Sequence, residues 1–203
     1  RVCCLALLAP ILLGYGIVRA QQTEAPSLRF IVVSDHGGRA STDQRAVAEA
    51  MGKEAERINA QFVVTAGDNF HEDGIPAAGD PRWKTEFEEV YSSPALQIPW
   101  YPSPGNHDYR GSVESEIEYS GRSARWRFQS RYYTQMERID DSSSMLIVHL
   151  DTSPFIQKYW TETSVYHLEK QDAKRQLRWL DSVLTASRAR WTIVVGHHAI
   201  YFA

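Results

Sequence analysis

The chain has 203 residues, long enough for one domain with a sizeable core. Its 43% hydrophobic and 23% charged residues are the proportions of a globular protein and exclude a fibrous or low-complexity chain. A net charge of -3, with no long basic run, gives no electrostatic footprint for nucleic acid or an anionic membrane surface.

The first twenty residues stand apart. Arg1 precedes an apolar run over residues 2–18, and Val18-Arg19-Ala20 closes it with a small residue at the end. This reads as a secretory signal peptide cut between Ala20 and Gln21. A transmembrane anchor fits less well, because the run is short and Pro10, Gly14 and Gly16 interrupt it. The expected organisation is a signal peptide at 1–20, a short polar lead-in at 21–27 and one domain at 28–203. Cys3 and Cys4 both fall in the leader, so the mature chain has no disulfide framework. The protein is expected to be exported, periplasmic or extracellular, with no stable membrane anchor once the leader is removed.

Short apolar runs at 30–33, 62–65, 98–101, 145–150 and 191–195 read as buried strands. Between the first two, Ser41-Thr42-Asp43-Gln44 fits a capping box. The helix it opens carries Val47, Met51, Ala55 and Ile58 on one face. Asp80-Pro81 is a second helix start, with Trp83, Phe87 and Val90 as its buried stripe. The Arg- and aromatic-rich run 122–133 is read as strand edge plus core aromatics rather than as a nucleic-acid surface. A helix over 169–186 is expected to turn Ala173, Leu177, Leu180 and Leu184 inward. Strand–helix alternation of this kind predicts an α/β architecture.

Four of the strands run directly into chemistry-bearing loops: Ser34-Asp35-His36-Gly37, Gly67-Asp68-Asn69-Phe70-His71, Gly105-Asn106-His107-Asp108 and Gly196-His197-His198. Open α/β sheets keep their ligands at such strand ends. Carboxylates, an amide oxygen and imidazoles together suit zinc, manganese or iron. Asp68 offers two oxygens and can bridge two ions, with His71 three residues on. Asn106 supplies a neutral oxygen, and His197 an imidazole. His107, adjacent to Asn106, cannot easily serve the same ion and is better placed to protonate a substrate oxygen. Asp35 is a weaker metal candidate by itself. His198 and Asp108 are read as touching substrate or backing the ligands, while His36, His149 and His167 are read as ordinary structural histidines. Two ions in such a place polarise phosphate and acidify water, which points to phosphoester hydrolysis.

Taken in order, Asp35, Gly67-Asp68, Gly105-Asn106-His107-Asp108 and Gly196-His197 resemble the signature of the calcineurin-like metallophosphoesterases. More closely, the chain is similar to the small, tartrate-resistant type of purple acid phosphatase and its bacterial relatives over about residues 28–203. Pro99-Trp100-Tyr101 and the stretches 87–91, 119–126 and 176–184 fit that pattern too. The resemblance implies two mixed β-sheets packed face to face and flanked by helices. It implies one metal on Asp35, Asp68 and His71, a second on Asp68, Asn106 and His197, and a substrate-facing acid at His107. The purple enzymes have Tyr where His71 stands here. The family also adds a later Gly-His-x-His motif that lies outside these 203 residues, so the chain reads as C-terminally truncated.

The expected function is a phosphomonoesterase with a dinuclear centre of iron, zinc or manganese, acting on a small-molecule or protein phosphoester. The alternatives are a phosphodiesterase or nucleotidase of the same superfamily, or an inactive phosphate-binding fragment. Residues 152–168 diverge from the family pattern and carry no assignment.

Overall fold

The computed structural model describes residues 26–199. The expected leader with its two cysteines, and the last four residues, lie outside that range. Among the described residues no helix is long and apolar enough to cross a membrane.

The first sheet is built from β1 (Phe30–Val33), β2 (Phe62–Ala66) and β3 (Trp100–Ser103), all parallel, with β2 in the centre. Helix α1 (Thr42–Ile58) crosses from β1 to β2. Ser41 caps it by accepting from the Gln44 backbone N–H at 3.2 Å. The return half of the expected capping box is displaced: the Gln44 side chain accepts from Ala40 N–H instead, and donates to the His36 carbonyl. Gln44 therefore turns inward, and the buried face is Gln44, Ala48, Met51, Gly52 and Ala55. Val47, expected in the core, is 47% exposed because it lies about 100° round the helix from Ala48.

β3 begins two residues later than the apolar run that announced it. It runs through Pro102, which an edge strand tolerates because a ladder N–H is not needed on its open side. Trp83, Phe87 and Val90 are buried as expected, the first two on a π-helical turn over Trp83–Glu88 and Val90 just after it. The 122–133 run also goes to the core: Trp126 and Phe128 are fully buried. Arg125 lies 4.3 Å over the Phe87 ring with its charge met by Glu88 at 2.8 Å.

After α2 (Val113–Tyr119), the second sheet is formed by β4 (Tyr133–Arg138), β5 (Ser144–His149) and β6 (Trp191–Val195). β4 pairs antiparallel and β6 parallel to β5, so this sheet is mixed. The two sheets pack through Phe62 and Val64 on one side and Met145, Ile147 and Val195 on the other. The opposite face of β2, at Val63, packs on α1 and the aromatic cluster. The two-sheet sandwich is the expected architecture. Its first sheet is wholly parallel in the described strands.

Two short helices follow β5, α3 (Gln157–Thr161) and α4 (Thr163–Tyr166), then α5 (Ala173–Ala186). The expected apolar stripe of α5 is not its inner face. Gln176 is buried and bonds the Asp151 backbone twice, at 2.9 Å each, which fixes the rotation of the helix. Ala173 and Leu180 fall near Gln176 and are half-buried, while Leu177 and Leu184 are exposed.

Candidate metal centre

β1, β2, β3 and β6 all end at one edge of the sandwich, and their loops meet there. The meeting depends on glycine. A Cβ on Gly105 would stand 2.2 Å from Asp68 Oδ1, and one on Gly67, whose φ is +94°, would stand 2.8 Å from Gly105 Cα and His197 Cβ. Asp35 and Asp68 themselves hold left-handed backbone, each at φ 52°. Non-glycine residues adopt that conformation at a cost, which the surrounding contacts must offset. Asp35 is fixed there by its N–H to the Gly67 carbonyl at 3.0 Å.

Asp68 is the hub. It is 2% exposed. Its Oδ1 accepts the His107 backbone N–H at 2.9 Å and stands 3.3 Å from His197 Nε2. Its Oδ2 stands 3.8 Å from both His71 Nε2 and His107 Nε2. Burial pushes the carboxyl up, but the His197 ring and the His107 N–H outweigh it and hold Asp68 below the ordinary range. Burial likewise opposes the charge on His197, and the Asp68 carboxylate overcomes it, raising the ring to about 9.

The ring orientations are set from behind. His197 Nδ1 is 2.9 Å from the Ala66 carbonyl, so it is the donor nitrogen, and Nε2 faces Asp68 Oδ1 and Asn106 Oδ1, the latter at 3.2 Å. Two oxygens with no proton of their own converge on that nitrogen, and only a proton or a cation satisfies all three. His107 is held the same way, Nδ1 on the Glu72 carbonyl at 2.8 Å. A backbone acceptor behind each imidazole is the usual device for aiming Nε2 at a metal or a substrate.

The donor atoms form two groups that share Asp68: Asp35, Asp68 and His197, and Asp68, His71 and His107. Within each group they lie within 4.8 Å of one another. Hard carboxylate oxygens, an amide oxygen and aimed imidazoles fit divalent or trivalent transition metals. All five residues expected to bind metal are therefore at one place. The grouping differs from the one the resemblance implied: Asp35 lies with His197 rather than with His71, and His107 stands beside His71 at the same distance from Asp68.

Asp108 is turned into the interior. It is fully buried and accepts from Gly105 N–H at 2.8 Å, Phe70 N–H at 3.0 Å and Asn69 Nδ2 at 3.2 Å. It ties the β2 loop to the β3 loop. Under it lies Glu116, also fully buried, whose Oε2 accepts from Asn69 at 3.1 Å and whose Oε1 has no partner among the described residues. Burial first, and then the Asp68 carboxylate, raise Asp108 to about 7, and burial first, and then Asp108, raise Glu116 well above its usual range. Two buried carboxyls side by side ionise together only at a cost, which favours a proton held on one of them. The sequence reading missed Asn69 and Glu116. The one signal for Glu116 was its place three residues after buried Val113 on α2, on the inward face.

His198 has both ring nitrogens engaged, Nδ1 with Thr152 Oγ1 at 2.8 Å and Nε2 with Tyr159 Oη at 3.1 Å, so it backs the site and is not itself open to a ligand. His36 and His149 are buried structural residues, lowered by burial to about 4 and about 3.

A buried carboxylate between two sets of metal-type donors, at the strand ends of an α/β sandwich, defines the class: a phosphoesterase-type fold with a cluster of carboxylates and imidazoles that could hold metal. The chain belongs to the calcineurin-like phosphoesterase family, whose model matches residues 28–203. It is 38% identical over 181 residues to purple acid phosphatase 17 of Arabidopsis thaliana, covering 86% of this chain and 52% of that protein. It is 34% identical over 186 residues to mouse (Mus musculus) tartrate-resistant acid phosphatase type 5, covering 87% of this chain and 57% of that one. The chain thus spans about half the length of the curated relatives it matches. Among solved structures, GAP50, the anchor in the inner membrane complex of Plasmodium, shares the fold with a TM-score of 0.72 at 22% identity. That match covers 86% of this chain and 56% of the other.

Proposed function

We propose that this chain carries the strand-end half of a metal-dependent phosphomonoesterase site of the acid phosphatase kind. The observation that carries the reading is Asp68: one buried carboxylate turns Oδ1 to His197 and Oδ2 to His71 and His107. In this role Asp68 would be the residue shared between two ions, with Asn106 and His197 holding one, His71 holding the other, and Asp35 contributing from beside Asp68 and His197. Iron, zinc and manganese all suit the donor set. The ions supply positive charge against the phosphoryl oxygens and lower the pKa of water.

The rest falls to the protein's own groups. His107 has its Nδ1 fixed on Glu72, so a proton held at Nε2 points into the site, available to the leaving-group oxygen. Gly67 and Gly105 let the backbone close on Asp68. Asp108 and Asn69 keep the two ligand loops in register. The protein is exported through its leader, and its substrate is a phosphoester small enough to reach an exposed loop cluster.

The test is metal analysis together with phosphate release from a phosphomonoester, on the full-length secreted protein. Two equivalents of metal and activity lost on chelation are expected. A protein that releases phosphate equally well after exhaustive chelation would sink the reading. N-terminal sequencing of the secreted form checks the leader, with Gln21 expected as the first residue.

A further inference from the structure

The ring of His107 is only as well aimed as the carbonyl that holds it, and that carbonyl belongs to a strained and exposed residue. Glu72 has left-handed backbone at φ 69°, which a residue with a Cβ adopts at a cost. A carbonyl oxygen only accepts, so the His107 nitrogen that stands 2.8 Å from it, Nδ1, carries a hydrogen and donates it. The far end of the same loop is clamped. Gly74, at φ +62°, lies so close to the turn after His107 that a Cβ on it would stand 2.6 Å from the His107 carbonyl oxygen and 2.6 Å from the Gly111 nitrogen. Arg82 Nη1 donates to the Gly74 carbonyl at 2.9 Å, and the Ser112 N–H donates to the Ile75 carbonyl at 2.8 Å. Asp73 makes an exposed ion pair with Arg39 at 3.0 Å, a kind that contributes little. None of these contacts touches the Glu72 carbonyl.

That carbonyl has a second donor. Asp108–Arg110 form a 3₁₀ turn capped by His107, with the Arg110 N–H on the His107 carbonyl at 2.9 Å. Three residues per turn bring side chains at i and i+3 to the same side. His107 and Arg110 therefore reach one oxygen from the same turn, and Arg110 Nη1 donates to the Glu72 carbonyl at 3.1 Å. The other arm of the guanidinium is seated as well. Nη2 stands 3.5 Å from Tyr166 Oη, and the guanidinium carbon lies 5.9 Å from the centroid of that ring. Tyr166 is buried, whereas Arg110 is exposed. A planar guanidinium holds its donors at fixed angles, so it can act as a strut between the two.

We propose that Arg110 is a positioning residue: it braces the Glu72 carbonyl against buried Tyr166 and so holds the His107 ring with Nε2 turned to Asp68 and the site. Its effect on turnover rests on the phosphoesterase reading, whereas its hold on the ring does not. Arg110 stands just outside the Gly105-Asn106-His107-Asp108 motif, which assigns it nothing. An orienting bond to an imidazole acts through the angle of the ring, so its loss is felt in the step the ring serves rather than in the binding of substrate. Direct contact between the guanidinium and phosphate is the competing role, and it is felt in binding.

The experiment compares the full-length, zinc-loaded protein with Arg110→Leu, His107→Ala and the double variant. It measures bound metal, kcat and KM for an aryl and an alkyl phosphate, and the ring hydrogens of His107 by NMR. Arg110→Leu should lower kcat on the alkyl phosphate by roughly 10–100-fold, the usual cost of removing a group that orients a functional imidazole. The loss should be smaller on the aryl phosphate, and KM and bound metal should stay as they are. In the His107→Ala background the same substitution should cost nothing more, because it acts through that ring. The Nδ1–H signal of His107, sharp in the wild type, should broaden in Arg110→Leu through exchange with water. A raised KM with kcat unchanged, a loss that multiplies in the double variant, or a fall in activity that tracks lost metal overturns the proposal. So does an unaltered Nδ1–H signal in Arg110→Leu, whether or not the wild type is active. If the wild type hydrolyses neither ester and the signal still broadens, the phosphoesterase reading fails and the positioning role stands.

Discussion

The rings of His71 and His107 stack with centroids 3.9 Å apart and 21° between planes, and each presents Nε2 to the same oxygen, Asp68 Oδ2, at 3.8 Å. Two imidazoles in van der Waals contact cannot both carry charge cheaply. One as a neutral ligand and the other as a proton carrier is the arrangement that avoids the repulsion. The backbone decides which is which: His107 Nδ1 is tied to the Glu72 carbonyl, whereas His71 makes no such bond among the described residues.

His107→Ala should therefore keep its metals and lose turnover by roughly 10²–10⁴-fold, the usual worth of a positioned proton donor. The deficit should shrink for aryl phosphates, whose leaving groups need no proton. Metal loss with the same deficit for every leaving group would instead place His107 among the ligands, where its nearness to Asp68 also allows it to stand.

Asp68→Asn should be more severe. An amide keeps the shape and the His107 N–H bond at Oδ1, but it is a poor bridge between cations and has lost the charge that raises His197. Bound metal should fall from two equivalents toward none. Activity should fall by more than the roughly 10–100-fold typical of an outer-shell partner. Two equivalents retained against a chelator would mean that another group bridges.

His71 gives an optical test. It occupies the position where the purple relatives are expected to hold a tyrosinate, and a neutral imidazole gives ferric iron no phenolate charge-transfer band. The iron-loaded protein should be nearly colourless, and His71→Tyr should introduce visible absorption. A purple wild type would mean that a tyrosine reaches the iron. Tyr159, whose hydroxyl is next to His198, would then be the residue to substitute.

The strand-end clusters were legible because buried strands leave unbroken apolar runs and glycine marks the turn after each. Asp35, Asp68, His71, Asn106, His107 and His197 were all found in this way, and the structure brings them together. What local pattern could not show was rotation and long-range pairing. Leu177 and Leu184 form an apolar stripe in the sequence, yet the bonds of Gln176 to Asp151, 25 residues away, turn that stripe outward. Asp108 shares a tetrapeptide with two functional residues but is drawn inward by three N–H donors, two of them from the β2 loop. Glu116 meets Asn69 across 47 residues, a contact that no spacing rule anticipates.

Glu116 also yields a prediction about stability. Buried against Asp108, its carboxyl is held well above its usual range, by burial first and then by the neighbouring acid. In the unfolded chain it ionises near pH 4.3 or so. Below that value both states hold the proton, and the stability of the buried neutral acid is fully present. Above it the unfolded chain releases the proton while the folded chain retains it. Stability is then lost progressively until the pH passes the folded-state value. Glu116→Gln removes the titration and keeps the shape. Its amide oxygen can accept from Asn69 and its N–H₂ can donate to Asp108. The variant should match the wild type near pH 4 and become the more stable of the two as the pH rises. The advantage should be about 1.4 kcal/mol for each pKa unit that separates the folded and unfolded acid. Urea unfolding of the metal-free protein at pH 4, 6 and 8 measures it. Parallel pH profiles for the two proteins would show that Glu116 is ionised in the fold. In that case a cation that neither the sequence nor the geometry identifies must stand beside its unpartnered Oε1.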